Sequence, residues 1–167
     1  QAFDVWREDG AGSLRSWEDR FVVRHGYFEP VITAWAQLQR ESGLEPSSIQ
    51  HLALYAPDSR SHLELVQQLG FRTGQVVDSL FGRVGSCGSA FAPLLLAIAA
   101  SRAQPGERIL SSFAGDGAHL MSWVLDRPLA RSSTFDEQLK RRIVLRSYRQ
   151  YLKCRGLDGG AACDQAH

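Results

Sequence analysis

Ser79-Leu-Phe-Gly-Arg-Val-Gly-Ser-Cys-Gly-Ser-Ala90 and the later Ile109-Leu-Ser-Ser-Phe-Ala-Gly-Asp-Gly-Ala118 decide the fold. The first is a glycine-rich loop opening an apolar helix expected from about Ala90 to Ser101. Pro93 is tolerable only near the first turn of that helix, where its missing N–H costs nothing. A Pro105-Gly106 turn follows, then a hydrophobic strand from Glu107 to Ala114 and a Gly115-Asp-Gly117 turn. A last strand is expected from His119 to Leu125.

Upstream, Val31, Ala34, Trp35 and Leu38 recur at helical spacing between Tyr27 and Ser42, and Gly43 stands where a helix stop belongs. Ile49 to Tyr55 reads as a strand with Leu52 and Leu54 on one face. Pro57-Asp-Ser59 ends that strand and supplies a cap for a helix from Ser59 to Leu69, closed by Gly70. Val76-Val77 reads as a weak short strand. Alternation of helices and strands in this order predicts an α/β layered fold, a mixed sheet with helices on its faces. Four segments are expected: an irregular lead-in over 1–20, the α/β domain over 21–130, a helical extension over 131–156 in which Ser133 to Cys154 is charged and helical, and a tail over 157–167.

A net charge of +1 without blocks of like charge gives no electrostatic reason to expect nucleic acid. At 167 residues the chain can bury roughly two thirds of its unfolded surface, enough for a core of its own. Cys87, Cys154 and Cys163 lack metal or disulfide-framework spacing, so no metal and reduced thiols are expected. The apolar run Ala90 to Ala100 is about half of a membrane span, and residues 1–20 lack a signal-peptide core; a soluble cytoplasmic protein is the expectation.

Five pieces in order resemble the C-terminal half of the thiolase superfamily, closest to hydroxymethylglutaryl-CoA synthase and ketoacyl synthase III-like condensing enzymes. They are the two glycine loops, Phe3-Asp-Val-Trp-Arg7, Arg15-Ser-Trp-Glu-Asp-Arg-Phe21 before Gly26-Tyr27, and Arg146-Ser-Tyr-Arg-Gln-Tyr-Leu-Lys-Cys-Arg-Gly156. The family's chain is about twice as long, with its nucleophilic Cys in the half absent here. The resemblance implies a half of a thiolase-like fold and replaced catalytic residues. The family's His-Gln-Pro-Asn is matched by Tyr55-Ala-Pro-Asp58, which puts Tyr55 at the His position. The family's Gly-Asn-Thr is matched by Gly82-Arg83-Val84, which puts Arg83 at the Asn position, and the chain contains no Asn that another register could restore. A phenol with a reference pKa of about 10 donates a hydrogen bond but is a poor base.

Tyr55 and Arg83 either polarise a carbonyl or bind a carboxylate, or they fill and close a cleft. Gly115 and Gly117 either present N–H groups to an oxyanion or form a plain strand-to-strand turn. Cys87 is a nucleophile candidate if a helix start lowers its pKa, or a small packing residue. His51, His62 and His119 can replace the missing imidazole only by reaching the cleft; Trp35 and Phe91 read as core. The cluster Lys140-Arg-Arg142 reads as a solvated helix face or as a contact for coenzyme phosphates.

The resemblance implies a largely non-catalytic subunit of a thiolase-type acyltransferase or condensing-enzyme complex. No tightly bound cofactor is expected, and an acyl-CoA or acyl carrier protein thioester is the substrate class. The partner is either an N-terminal-half chain carrying the Cys or a complete thiolase-like subunit, with a small OB-fold protein as a third member by analogy.

Overall fold

The computed structural model describes residues 5–7, 9, 10, 12, 13, 15–85, 87–115, 117–128 and 135–157. Phe3 and Asp4 of the entering segment, Asp116 of the second glycine turn, Ser133 at the expected helix start, and the tail beyond Leu157 with Cys163 lie outside the described residues. The chain divides into two compact units, Gln1–Arg131 and Ser132–His167.

In the first unit, strands β1 (Val5–Trp6) and β2 (Arg15–Ser16) pair antiparallel. The lead-in is therefore not wholly irregular; a two-residue ladder is too short to leave a periodic signature. Helix α1 (Asp19–Phe21) passes through a seven-residue π-helical stretch, Val22–Phe28, into α2 (Glu29–Ser42). Val31 and Trp35 of α2 are buried. Gly43, at φ 68°, ends the helix in the left-handed conformation that glycine adopts without steric cost, its N–H reaching the Gln39 carbonyl at 2.8 Å.

Strands β3 (His51–Leu54), β4 (Arg108–Gly115) and β5 (Gly117–Val124) form one sheet in that order. β3 and β4 are parallel; β4 and β5 form an antiparallel hairpin closed at Gly115 and Gly117. Leu52, Leu54, Leu110, Ala118 and Leu120 fall on one face by strand alternation, in the core cluster with Tyr27, Val31 and Trp35. Ala53, Ile109 and Ser111 alternate to the other face, and α4 (Phe91–Arg102) packs on β3 and β4. Burial on both faces explains why β3 is apolar almost throughout. The expected Val76-Val77 strand shrinks to one parallel bridge, Val76 to Leu52, with the Val77 N–H on the Leu52 carbonyl at 3.0 Å. Helix α3 (Ser59–Gln68) starts where Asp58 accepts the Ser61 N–H at 2.9 Å and its hydroxyl at 2.6 Å. β5 lies at an edge of this sheet, with Met121, Trp123 and Val124 exposed.

The second unit contains two short helices, α5 (Phe135–Lys140) and α6 (Tyr148–Cys154), within the segment expected to be helical. The β-branched pair Ile143-Val144 disfavours helix between them. Ser147 then opens a new one by accepting the Gln150 N–H at 3.3 Å.

Candidate functional site

The site is built around the C-terminal end of β3. The backbone of Tyr55 is held on both sides: its N–H donates to the buried Ser112 Oγ at 3.0 Å, and its carbonyl accepts the Tyr27 hydroxyl at 2.6 Å. Tyr27 projects from the π-helical stretch, whose wider turn is a common feature of functional sites. Burial pushes the Tyr27 phenol far above its usual pKa, and the neighbouring Tyr55 and Asp58 add to the shift, so it remains a donor. Val22, Gly26, Tyr27, Tyr55, Pro57 and Gly115 line a cavity of about 60 Å³. The structure thus brings together Tyr55 and Gly115, two residues singled out from the sequence.

The Tyr55 ring is packed edge-on against Tyr27 at 6.2 Å and against Phe91 at 6.0 Å. Phe91 in turn meets Phe81 at 5.7 Å, and Phe81 meets the His62 ring at 6.4 Å. These contacts form one aromatic row from the π-helical stretch to α3, with the rings in tilted or edge-on contact. Phe91 and Trp35 are both core, at 2% and 4% exposure.

Arg83 does not line the Tyr55 cavity. Its Nη1 donates to Asp78 Oδ2 at 2.8 Å, while Asp78 Oδ1 accepts the Leu80 N–H at 3.0 Å. The Leu80 hydrogen bond, with the Arg83 guanidinium, holds the Asp78 carboxyl below the usual carboxylate range. Leu80 has φ 60° although it is not glycine, a conformation costing roughly 1–2 kcal/mol. Cys87 is half-buried at the entry of a single 3₁₀ turn, Gly88–Ala90, that leads into α4; its Sγ is 3.8 Å from the Gly85 carbonyl oxygen. Gly117, at φ 123°, pairs with Gly115 and serves the hairpin turn.

Two histidines fall away from the cleft. His51 lies at the opposite end of β3, its Nε2 2.8 Å from Glu107 Oε2. It borders a separate groove of about 600 Å³ with Arg72 and Gln75. His119 is exposed on β5. His62 is different: it is 3% exposed, and its Nε2 has no hydrogen-bond partner among the described residues. Burial lowers its pKa below the usual imidazole value. The folded chain therefore keeps His62 neutral, while the unfolded chain protonates it near pH 6.5. The stability this provides is complete above that pH and is lost as pH falls toward the lower folded value. Thermal unfolding between pH 5 and 7 is expected to show a falling Tm on acidification that His62→Leu flattens. The lowered carboxylates, Asp58, Asp78, Glu29 and Glu107, lose their contributions only at lower pH.

A groove of about 700 Å³ runs beside the small cavity and shares Val23 with it. Phe28 and Ile32 give it an apolar wall, and its charged lining is mixed: Arg20, Arg24 and Arg60 stand among Asp19, Glu29, Asp58 and Glu64. Sequence reasoning missed these arginines. The i, i+4 spacing of Arg20 and Arg24 is the one available signal, whereas Arg60 joins them only through the fold. Among the described residues no group of three or more His, Cys, Asp or Glu can hold a metal ion, and no helix is long and apolar enough to cross a membrane.

A mixed sheet with α2 on one face and α4 on the other carries the aromatic cleft at the end of β3. Residues 39–127 match the family described as 3-oxoacyl-[acyl-carrier-protein (ACP)] synthase III C terminal, and the chain belongs to that family. It is 29% identical over 157 residues to a hydroxymethylglutaryl-CoA synthase of Methanopyrus kandleri, covering 90% of this chain and 44% of the relative. A namesake from Aeropyrum pernix is 30% identical over 162 residues, covering 92% of this chain and 44% of the relative. The chain therefore spans under half the length of the curated relatives it matches. The β-ketoacyl-[acyl carrier protein] synthase III of Thermus thermophilus superposes with a TM-score of 0.59 at 19% identity, over 75% of this chain and 42% of that one, a likeness of fold.

Proposed function

We propose that this chain is a largely non-catalytic, cytoplasmic subunit of a thiolase-type acyltransferase or condensing-enzyme complex acting on acyl thioesters. The observation that supports this reading is the aromatic row through Tyr55, the residue that the resemblance matches to the family's His, beside a cavity of only about 60 Å³. The exposed apolar side chains of edge strand β5 supply a surface for the missing half or a complete thiolase-like subunit. An OB-fold protein is a third member by analogy alone.

One observation favours an alternative, a split active enzyme whose nucleophilic Cys is on the partner. The groove beside the cleft remains open, and its three guanidinium groups, set among the carboxylates of Asp19, Glu29, Asp58 and Glu64, would meet the phosphates of a coenzyme or carrier arm by exchanging existing pairs such as Arg24 with Glu29. The experiment is to purify the tagged chain with its natural partner and assay acyl transfer from thioesters. Tyr55→Phe and Arg83→Ala are expected to leave turnover within about twofold. A loss of about 100-fold or more with assembly intact, the size of a lost acid–base group, would overturn the non-catalytic reading in favour of the split enzyme.

A further inference from the structure

Four features converge on the loop Asp78–Gly85. Leu80 is held at φ 60° while 1% exposed, a strained conformation for a buried leucine. The Asp78 carboxylate ties the loop together, accepting from the Leu80 N–H and the Arg83 guanidinium. Gly82 and Gly85 stand at φ 79° and 73°, left-handed positions where the chain can turn sharply. Phe81, carried between Leu80 and Gly82, is half-buried and lies against the His62 ring on one side and Phe91 on the other.

Behind Phe81 is the one buried side-chain nitrogen or oxygen without a hydrogen-bond partner among the described residues, Nε2 of His62. A polar atom sealed in an aromatic wall is costly unless some state of the protein uses it. The Asp78–Arg83 ion pair is weak, because the two side chains are 38% and 39% exposed and water screens them, whereas the Arg83 and Val84 N–H groups on the Leu80 carbonyl keep the turn together as one unit.

We propose that Phe81 is a movable plug over His62, and that outward movement of Asp78–Gly85 bares the imidazole to the aromatic cleft. The closed state is the one described above; in the open state His62 presents Nε2 to whatever occupies the cleft. His62 becomes accessible in this way regardless of whether the cleft handles thioesters.

Carbethoxylation of the full-length chain with diethyl pyrocarbonate, read histidine by histidine by peptide mass spectrometry, tests this directly. In the unaltered protein His62 is expected to react far more slowly than exposed His119. Arg83→Ala, which removes the ion pair with Asp78, should raise the His62 rate about two- to fivefold. Phe81→Ala, which removes the plug, should raise it about tenfold or more through easier local opening. The rates of His51 and His119 should stay constant in both variants. A His62 that stays protected in both variants overturns the proposal, as does equal acceleration of all histidines, which would mean global rather than local opening.

Discussion

Replacing Trp35 with alanine is expected to cost about 3–5 kcal/mol, enough to unfold much of the chain when total stability is about 5–15 kcal/mol. Trp35 is 4% exposed, sits in the core cluster with Leu52 and Leu110, and meets the Phe71 ring at 5.1 Å. It is a main contact by which α2 covers one face of the sheet, and the space it vacates is walled by strands that cannot collapse into it. Urea denaturation of the variant is the measurement. A loss under about 1 kcal/mol would mean that α2 is not docked on the sheet in solution.

Tyr55→Ala should cost about 2–4 kcal/mol, because the ring bridges Tyr27 and Phe91 and its loss interrupts the aromatic row. Tyr55→Phe keeps the ring and both of those contacts, and its loss is expected to stay under about 1 kcal/mol. The contrast separates packing from chemistry. Equal destabilisation by the two variants would show that the hydroxyl, rather than the ring, secures the cleft.

Helix α2 was legible because Val31, Trp35 and Leu38 repeat at helical spacing and Gly43 supplies the left-handed stop. Strand β4 and helix α4 were legible because the glycine loops and the Pro105-Gly106 turn punctuate uninterrupted apolar runs. The π-helical stretch was not: a wider turn matches no 3.6-residue template, and Gly26 alone does not announce it. Nor does the sequence show that His51 meets Glu107, a contact between residues 56 positions apart that only the parallel pairing of β3 and β4 creates. Arg83 is the reverse case. Its ion-pair partner Asp78 is only five residues away, but the two sit in an irregular loop, where no helical or strand spacing signals that they meet.

The same parallel pairing sets a schedule for biosynthesis. Tyr55 must wait for Ser112, 57 positions later, before its backbone is held, and closing a loop of that length costs on the order of 3–4 kcal/mol of chain entropy. As the chain leaves the ribosome, α2 and β3 emerge with Leu52, Leu54 and Trp35 uncovered, and no strand can complete their layer until β4 follows. The nascent chain therefore passes through a long interval in which its stickiest surface is finished but its sheet is not. Chaperone engagement is expected to concentrate in the stretch of synthesis between Tyr55 and Ser112.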